Sequence, residues 1–255
     1  MKYFDYNKKD IIKCLKKIGV KKKDTIFCHS DILKFGIPSC GLQGKKIAQL
    51  FYESFFEVIG KEGTFILPTF SYSFCKKEVY KPNISNSICG LLSEELRKNK
   101  KNFLLYPDPN LSCIIFGRHK KYLAKFENKN SYGSNSLFHK FYSLNGKICN
   151  LNLDAGSTFL HFLERKLNIK YRFEKKFFGK IKYESNIVKD YAVIYVVYKK
   201  IKKKVSFYKF TKFAKKRGYF KQSNLGRGNI GLIDSKDCFK ILKKKLLENQ
   251  SFLFE

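Results

Sequence analysis

Thr158-x-x-His161-x-x-Glu164 spaces a hydroxyl, an imidazole and a carboxylate three residues apart. On a helix that spacing brings all three onto one face or close to it. Such a group can donate to a developing oxyanion, act as a general base near neutral pH, and orient or charge that base. The same residues also read as a cap at Ser157 or Thr158, a histidine at the core's edge, and a surface glutamate paired with a lysine. Residue type alone leaves both readings open. The HxxE spacing is too short for the HExxH zinc-protease pattern.

A second cluster, His29-Ser30-Asp31, follows an apolar run and reads as a strand-to-helix turn. Backbone N–H groups at such a turn can hold phosphate, and small polar side chains assist. Ser30 or Asp31 could equally be a helix cap. A His/Ser/Asp triad is excluded as an expectation, because sequence neighbours do not converge in triad geometry. Gly226-Arg227-Gly228-Asn229-Ile230-Gly231 fits GxGxxG but precedes a strand near the end of the chain, so it reads as a glycine loop and not a dinucleotide fingerprint.

The elements that must position these residues follow from periodicity. Residues 7–19 and 45–59 carry helical spacing, as does the stretch from about Gly90 to Asn99. Short apolar runs at 24–30, 63–70, 111–116 and 147–153 read as strands, the last leading into a helix at about 157–167. This alternation implies a layered α/β/α domain with a mixed central sheet. After Gly179 the chain turns β-rich. Lys182–Lys199 and Lys204–Phe210 flank the basic block KKIKKK and read as an antiparallel hairpin. A strand at 229–233 and a helix from Asp234 close the chain. The expectation is one domain over 1–255, with 179–255 as a β-rich C-terminal subdomain.

Composition narrows the classes. Apolar residues make up 44% and aromatics 16% of the 255 residues, which is enough for a globular core. No run approaches the roughly 18 apolar residues of a membrane span, and the N-terminus has no apolar signal core, so a cytoplasmic protein is expected. The eight cysteines lack CxxC spacing and read as reduced, mostly buried thiols, with neither disulfide framework nor zinc site. The net charge of +32 suggests polyanions as partners. Only six of the 53 basic residues are arginine and the lysines are dispersed, so dedicated nucleic-acid binding is set aside as the competing class.

Taken in order, several segments resemble the aminoglycoside 3-N-acetyltransferase (antibiotic N-acetyltransferase) family. His29-Ser30-Asp31-Ile32-Leu33-Lys34-Phe35-Gly36 resembles its HSSLxxxG turn, and Glu62 to Ser71 its EGTLxxPTFS strand. Ser87 to Arg97 resembles SxxGxLxExFR, Asp108-Pro109-Asn110-Leu111-Ser112 resembles HPxxS, and Tyr132 to Leu137 resembles FGxxSP. Thr158-x-x-His161-x-x-Glu164 with Tyr171-Arg172 resembles TxxHxxEx(6)YR. The match runs from about Asp24 to Phe173 and resumes weakly at the terminal glycine loop and helix.

The resemblance implies direct attack of an acceptor amine on the thioester of acetyl-CoA or another acyl-CoA, without a metal. His161 is then the base, Glu164 its partner, and Thr158 the oxyanion donor. His29, Ser30, Asp31, Thr69, Ser71 and Ser112 are expected along the coenzyme channel, with Tyr72, Asp108 and Arg172 on the acceptor side. Asp108 stands where many members have histidine. The +32 charge suits an anionic acceptor, since repulsion of each cationic group is ~1 kcal/mol at contact in water and adds over several lysines. A nucleotide-linked amino sugar used for surface glycan synthesis is therefore the preferred acceptor here, with an aminoglycoside as the alternative and self-association left open.

Overall fold

The computed structural model describes residues 3–255. Helix α1 (Lys8–Ile18) starts at a capping box, in which the Asn7 side chain accepts from the Asp10 N–H and the Asp10 carboxylate accepts from the Asn7 N–H. The following strand, β1 (Thr25–Ser30), is the axis of the molecule. It lies between β2 (Thr64–Pro68) and β5 (Lys147–Leu151) and is parallel to both. Antiparallel strands extend the sheet on either side, with β4 (Cys113–Gly117) and β3 (Leu104–Tyr106) beyond β2, and β9 (Gly228–Asp234) and β8 (Lys221–Leu225) beyond β5. The sheet therefore has seven strands in the order β3-β4-β2-β1-β5-β9-β8.

Side-chain alternation along the central strands builds two cores. Ile26 and Cys28 of β1, with Phe65 and Leu67 of β2, face α1, α2 (Gly44–Ile59) and α3 (Leu91–Asn99). Phe27 and Ile66 face the other layer. That layer contains α5 (Leu137–Ser143), α6 (Phe159–Lys166), α7 (Tyr208–Lys216) and α8 (Ser235–Glu248); a short helix, α4 (Lys120–Ala124), precedes α5. The layered α/β/α architecture with a mixed sheet is thus the one expected. All eight cysteines are free, and five of them are buried.

The antiparallel hairpin exists, but its register differs from the sequence reading. It pairs β6 (Arg172–Tyr183) with β7 (Asn186–Val197) through the two-residue turn Glu184-Ser185, where Glu184 takes a φ of 43°. The basic block 199–204 is a loop after the hairpin. Lys204–Phe210 is not a strand, since α7 begins at Tyr208 and buries Phe210, Thr211 and Ala214 at helical spacing. Repeated lysines gave a stronger turn signal than the polar tip Glu-Ser-Asn, and an amphipathic helix this short leaves little period to read.

The glycine loop is the β8–β9 turn, with Leu225 paired to Gly228. Gly226 sits at φ +51°, and an added Cβ would come within 2.2 Å of the Phe35 carbonyl oxygen. Its glycines serve a tight turn against a neighbouring backbone.

Candidate active site

β2, β1 and β5 run in one direction, so their carboxyl ends meet at one edge of the sheet, where open α/β sheets present ligand crevices. A cleft of about 420 Å³ opens there. His29, Ser30 and Asp31 enter it from the end of β1, Phe70 and Tyr72 from the segment after β2, and Thr158 from the start of α6. Its outer wall is the stretch Ile88–Leu91, held by an ion pair within α3. The Glu94 carboxylate binds Arg97 and accepts from the Ser87 N–H, while the Arg97 guanidinium also binds the Asn83 carbonyl. Burial pushes the Glu94 carboxyl up, but Arg97, Lys98 and the Ser87 N–H override it and bring it down to about 2. Gly90, at φ +88°, lets this wall approach the Ser30 carbonyl, which a Cβ would meet at 3.2 Å.

Just before the α6 N-cap Thr158, the Ser157 hydroxyl accepts from the Phe159 N–H at 3.2 Å. It also lies 2.9 Å from Nε2 of His29, tying the end of β1 to the start of α6. Burial lowers the His29 imidazole to about 4, so it is neutral at pH 7. The Thr158 side chain makes no cap hydrogen bond, and Thr158 lines the cleft. The Ser30 hydroxyl oxygen is buried without a protein partner. Asp31 pairs with Lys34 at 2.6 Å.

One turn into α6, Nδ1 of His161 lies 2.5 Å from the Glu164 carboxylate. Glu164 is fully buried and is also bonded by the Tyr171 hydroxyl, with the Arg172 Nε at 3.0 Å. Arg172 additionally donates to the Tyr195 carbonyl. Burial would raise the Glu164 carboxyl, but the charge and hydrogen bond of His161, then Arg172 and Tyr171, hold it below the usual carboxylate range. His161 moves down as well, through burial first and the Arg172 charge second, with Glu164 opposing both. Both shifts run the same way, toward an ionised carboxylate beside an imidazole that gives up its proton more readily than a free one. Because Nδ1 faces Glu164, it carries the proton in the neutral ring, and Nε2 is left with its lone pair. The ring itself, 20% exposed, is flanked by Tyr132 and Phe207, with centroids 6.0 and 5.9 Å away.

The structure therefore brings His29, Ser30, Asp31, Tyr72 and Thr158 to the cleft, with the His161–Glu164 pair one turn further along α6 and outside the lining itself. It directs four other expected residues inward. Thr69 and Ser112 bond each other, and Ser112 donates to the Thr69 carbonyl at 2.6 Å. Ser71 donates to the Pro109 carbonyl. Asp108, fully buried, accepts from Ser131 and from the N–H groups of Asn110 and Leu111. These side chains close the turns beneath the cleft and do not line it. Arg172, expected beside an acceptor, faces Glu164. Sequence reasoning missed Ser157 as the partner of His29, and it missed Phe207, which arrives from the far end of the chain with no local signal. Among the described residues no cluster of three or more His, Cys, Asp or Glu has metal-holding geometry, and no helix is long and apolar enough to cross a membrane.

A sequence model of the family described as aminoglycoside 3-N-acetyltransferase matches residues 27–247. No curated protein sequence matches the chain. Among solved structures, the YokD protein from Bacillus subtilis is 19% identical with a TM-score of 0.77, covering 98% of this chain and 96% of that one. AAC-IIIb in binary complex with CoASH is 17% identical with a TM-score of 0.79, covering 95% and 96%. Sisomicin-bound AAC-VIa is 16% identical with a TM-score of 0.81, covering 94% and 97%. At these identities the likeness is one of fold.

Proposed function

Because the chain belongs to the aminoglycoside 3-N-acetyltransferase family, we propose that it acts as one domain to transfer an acetyl group from acetyl-CoA to an amine of an aminoglycoside-type sugar, with His161 as the base. The observation that carries this reading is the contact between His161 and the buried Glu164, one turn along α6 from the cleft residue Thr158. Continuity of the sheet through β9, which pairs with β5, supports treating 1–255 as a unit.

When bound, acetyl-CoA supplies the activated acyl thioester. The cleft suits part of such a molecule, with apolar walls from Phe70, Ile88 and Leu91 beside Thr158, whose side chain makes no cap hydrogen bond. An acceptor amine is protonated at neutral pH and must lose that proton to become a nucleophile. Nε2 of His161 takes it, and the imidazolium then faces the Glu164 carboxylate across the Nδ1 bond. Arg172 and Tyr171 position Glu164 and keep it ionised. The Thr158 hydroxyl is free to donate to an oxygen that gains charge.

The family match favours a cationic acceptor, and the AAC-VIa relative is solved with sisomicin. Whole-chain charge speaks for an anionic nucleotide amino sugar, but the residues lining the cleft include one carboxylate, Asp31, and no lysine or arginine. Surface charge at a distance is screened within about 8 Å at physiological salt, so the lining outweighs the total. Thioester cleavage followed against aminoglycosides and nucleotide amino sugars decides the acceptor. His161→Asn is expected to abolish turnover while CoA still binds. Undiminished turnover in that variant removes His161 from the mechanism, and turnover with nucleotide sugars alone rejects the aminoglycoside.

A further inference from the structure

The basic block 199–204 is not used by the reaction above, yet it borders a second concavity. This cleft, of about 570 Å³, lies between the ends of β7 and α8. Its exposed aromatic ring is Tyr198, stacked on Phe173 at 4.6 Å between centroids, while Tyr171 and Phe254, edge-to-face at 4.7 Å, are buried beneath it. Its charge comes from Lys170, Lys200, Lys202 and Lys203, all exposed, and no carboxylate lines it. Lys200 already sits 5.6 Å from the Tyr198 ring centroid, so aromatic face and cation are adjacent. Elsewhere the charged groups are often neutralised locally, as in the groove beside the hairpin, where Asp190 binds Lys129. Here four lysines line one cleft with an exposed aromatic ring and without a counter-charge among the lining residues.

From these features we propose that this cleft is a binding site for a free nucleoside polyphosphate, the base stacking on Tyr198 and the phosphates held by the lysines. The lysines come from Lys170 and the single loop 200–203 and form no extended track, which favours one small ligand over a nucleic-acid strand, since a strand needs a basic groove that follows its backbone. The site also has a path to the proposed base, since Tyr171 lines it and its hydroxyl is bonded to Glu164, which holds His161. A ligand against the Tyr171 ring would therefore change how firmly Glu164 is held. That coupling rests on the reading of His161 as the base, whereas the binding itself does not.

The test is calorimetric titration of the full chain with ATP, without acceptor, in the presence and absence of saturating CoA. The expected result is one ATP per chain, unaffected by CoA. Lys202→Glu/Lys203→Glu, both on the surface, should weaken it at least tenfold, and Tyr198→Ala should weaken it by about tenfold, within the range of one stacked base. Displacement by CoA would assign the ATP to the coenzyme's own site and overturn the proposal. So would equal binding of inorganic triphosphate, tighter binding of single-stranded oligonucleotides with a steep salt slope, or variants that bind as the parent does. Loss of turnover in His161→Asn with ATP binding intact separates a failure of the reaction reading from a failure of this one. Coupling is read from the pH–rate profile, whose rising limb should move with ATP in the parent and not in the Lys202→Glu/Lys203→Glu variant.

Discussion

Replacing Glu164 by glutamine tests the relay behind His161 while changing little in shape. Glu164 is fully buried, and its carboxylate faces Nδ1 of His161 at 2.5 Å and the Arg172 guanidinium at 3.0 Å. In the proposed mechanism His161 takes the amine proton, after which the carboxylate opposes a full positive charge. Two unit charges about 4 Å apart at an effective dielectric of about 20 attract by about 4 kcal/mol. Part of that is already present in the polarised ground state, so a transition-state loss of about 2–4 kcal/mol follows, or about 30- to 900-fold in kcat. The pH dependence has a defined sign. Glu164 raises the His161 pKa and Arg172 lowers it, so the amide leaves Arg172 unopposed and the imidazole becomes less basic. The rising limb of the kcat profile should move to lower pH while its plateau falls. Stopped assays of thioester cleavage from pH 4.5 to about 9, with thermal unfolding of each variant as a folding control, read both quantities. A limb moving to higher pH, or a plateau within twofold of the parent in a folded variant, would refute the relay.

Thr158→Val should lower kcat by about 10²-fold or less with little change in KM, the pattern of a donor engaged only in the transition state; an effect confined to KM would place Thr158 in ground-state binding. Glu94→Gln removes the charge that anchors Arg97 and the Ser87 N–H, so the KM for acetyl-CoA should rise and proteolysis within 83–90 should accelerate, with kcat nearly unchanged. Asp108→Asn should leave kcat/KM within about twofold, because the side chain lies beneath the cleft. Burial raises the Asp108 carboxyl pKa in the fold above its unfolded value, so ionising it at neutral pH is destabilising, and the penalty fades as pH falls through the raised value. The asparagine variant should therefore gain melting temperature relative to the parent at pH 7 and lose that gain in acid.

Thr158, His161 and Glu164 were legible because their spacing is local, and a helix converts i, i+3 into adjacency whatever surrounds it. The strand–helix alternation was legible for the same reason, as was the order of short motifs that points to the family. Which hydroxyls face the cleft was not. β2 is buried along its whole length, so its alternation marks two cores and no wet face, and the partners of Thr69 and Ser112 depend on a turn more than 40 residues away. Sequence also sums charge without locating it: +32 suggested an anionic acceptor, whereas the cleft lining holds no lysine or arginine. The chain alone determined that His161 has a carboxylate one turn away. Only the tertiary structure decided that Tyr171, Arg172 and Phe207 surround that pair, because burial and long-range packing set the protonation of each group.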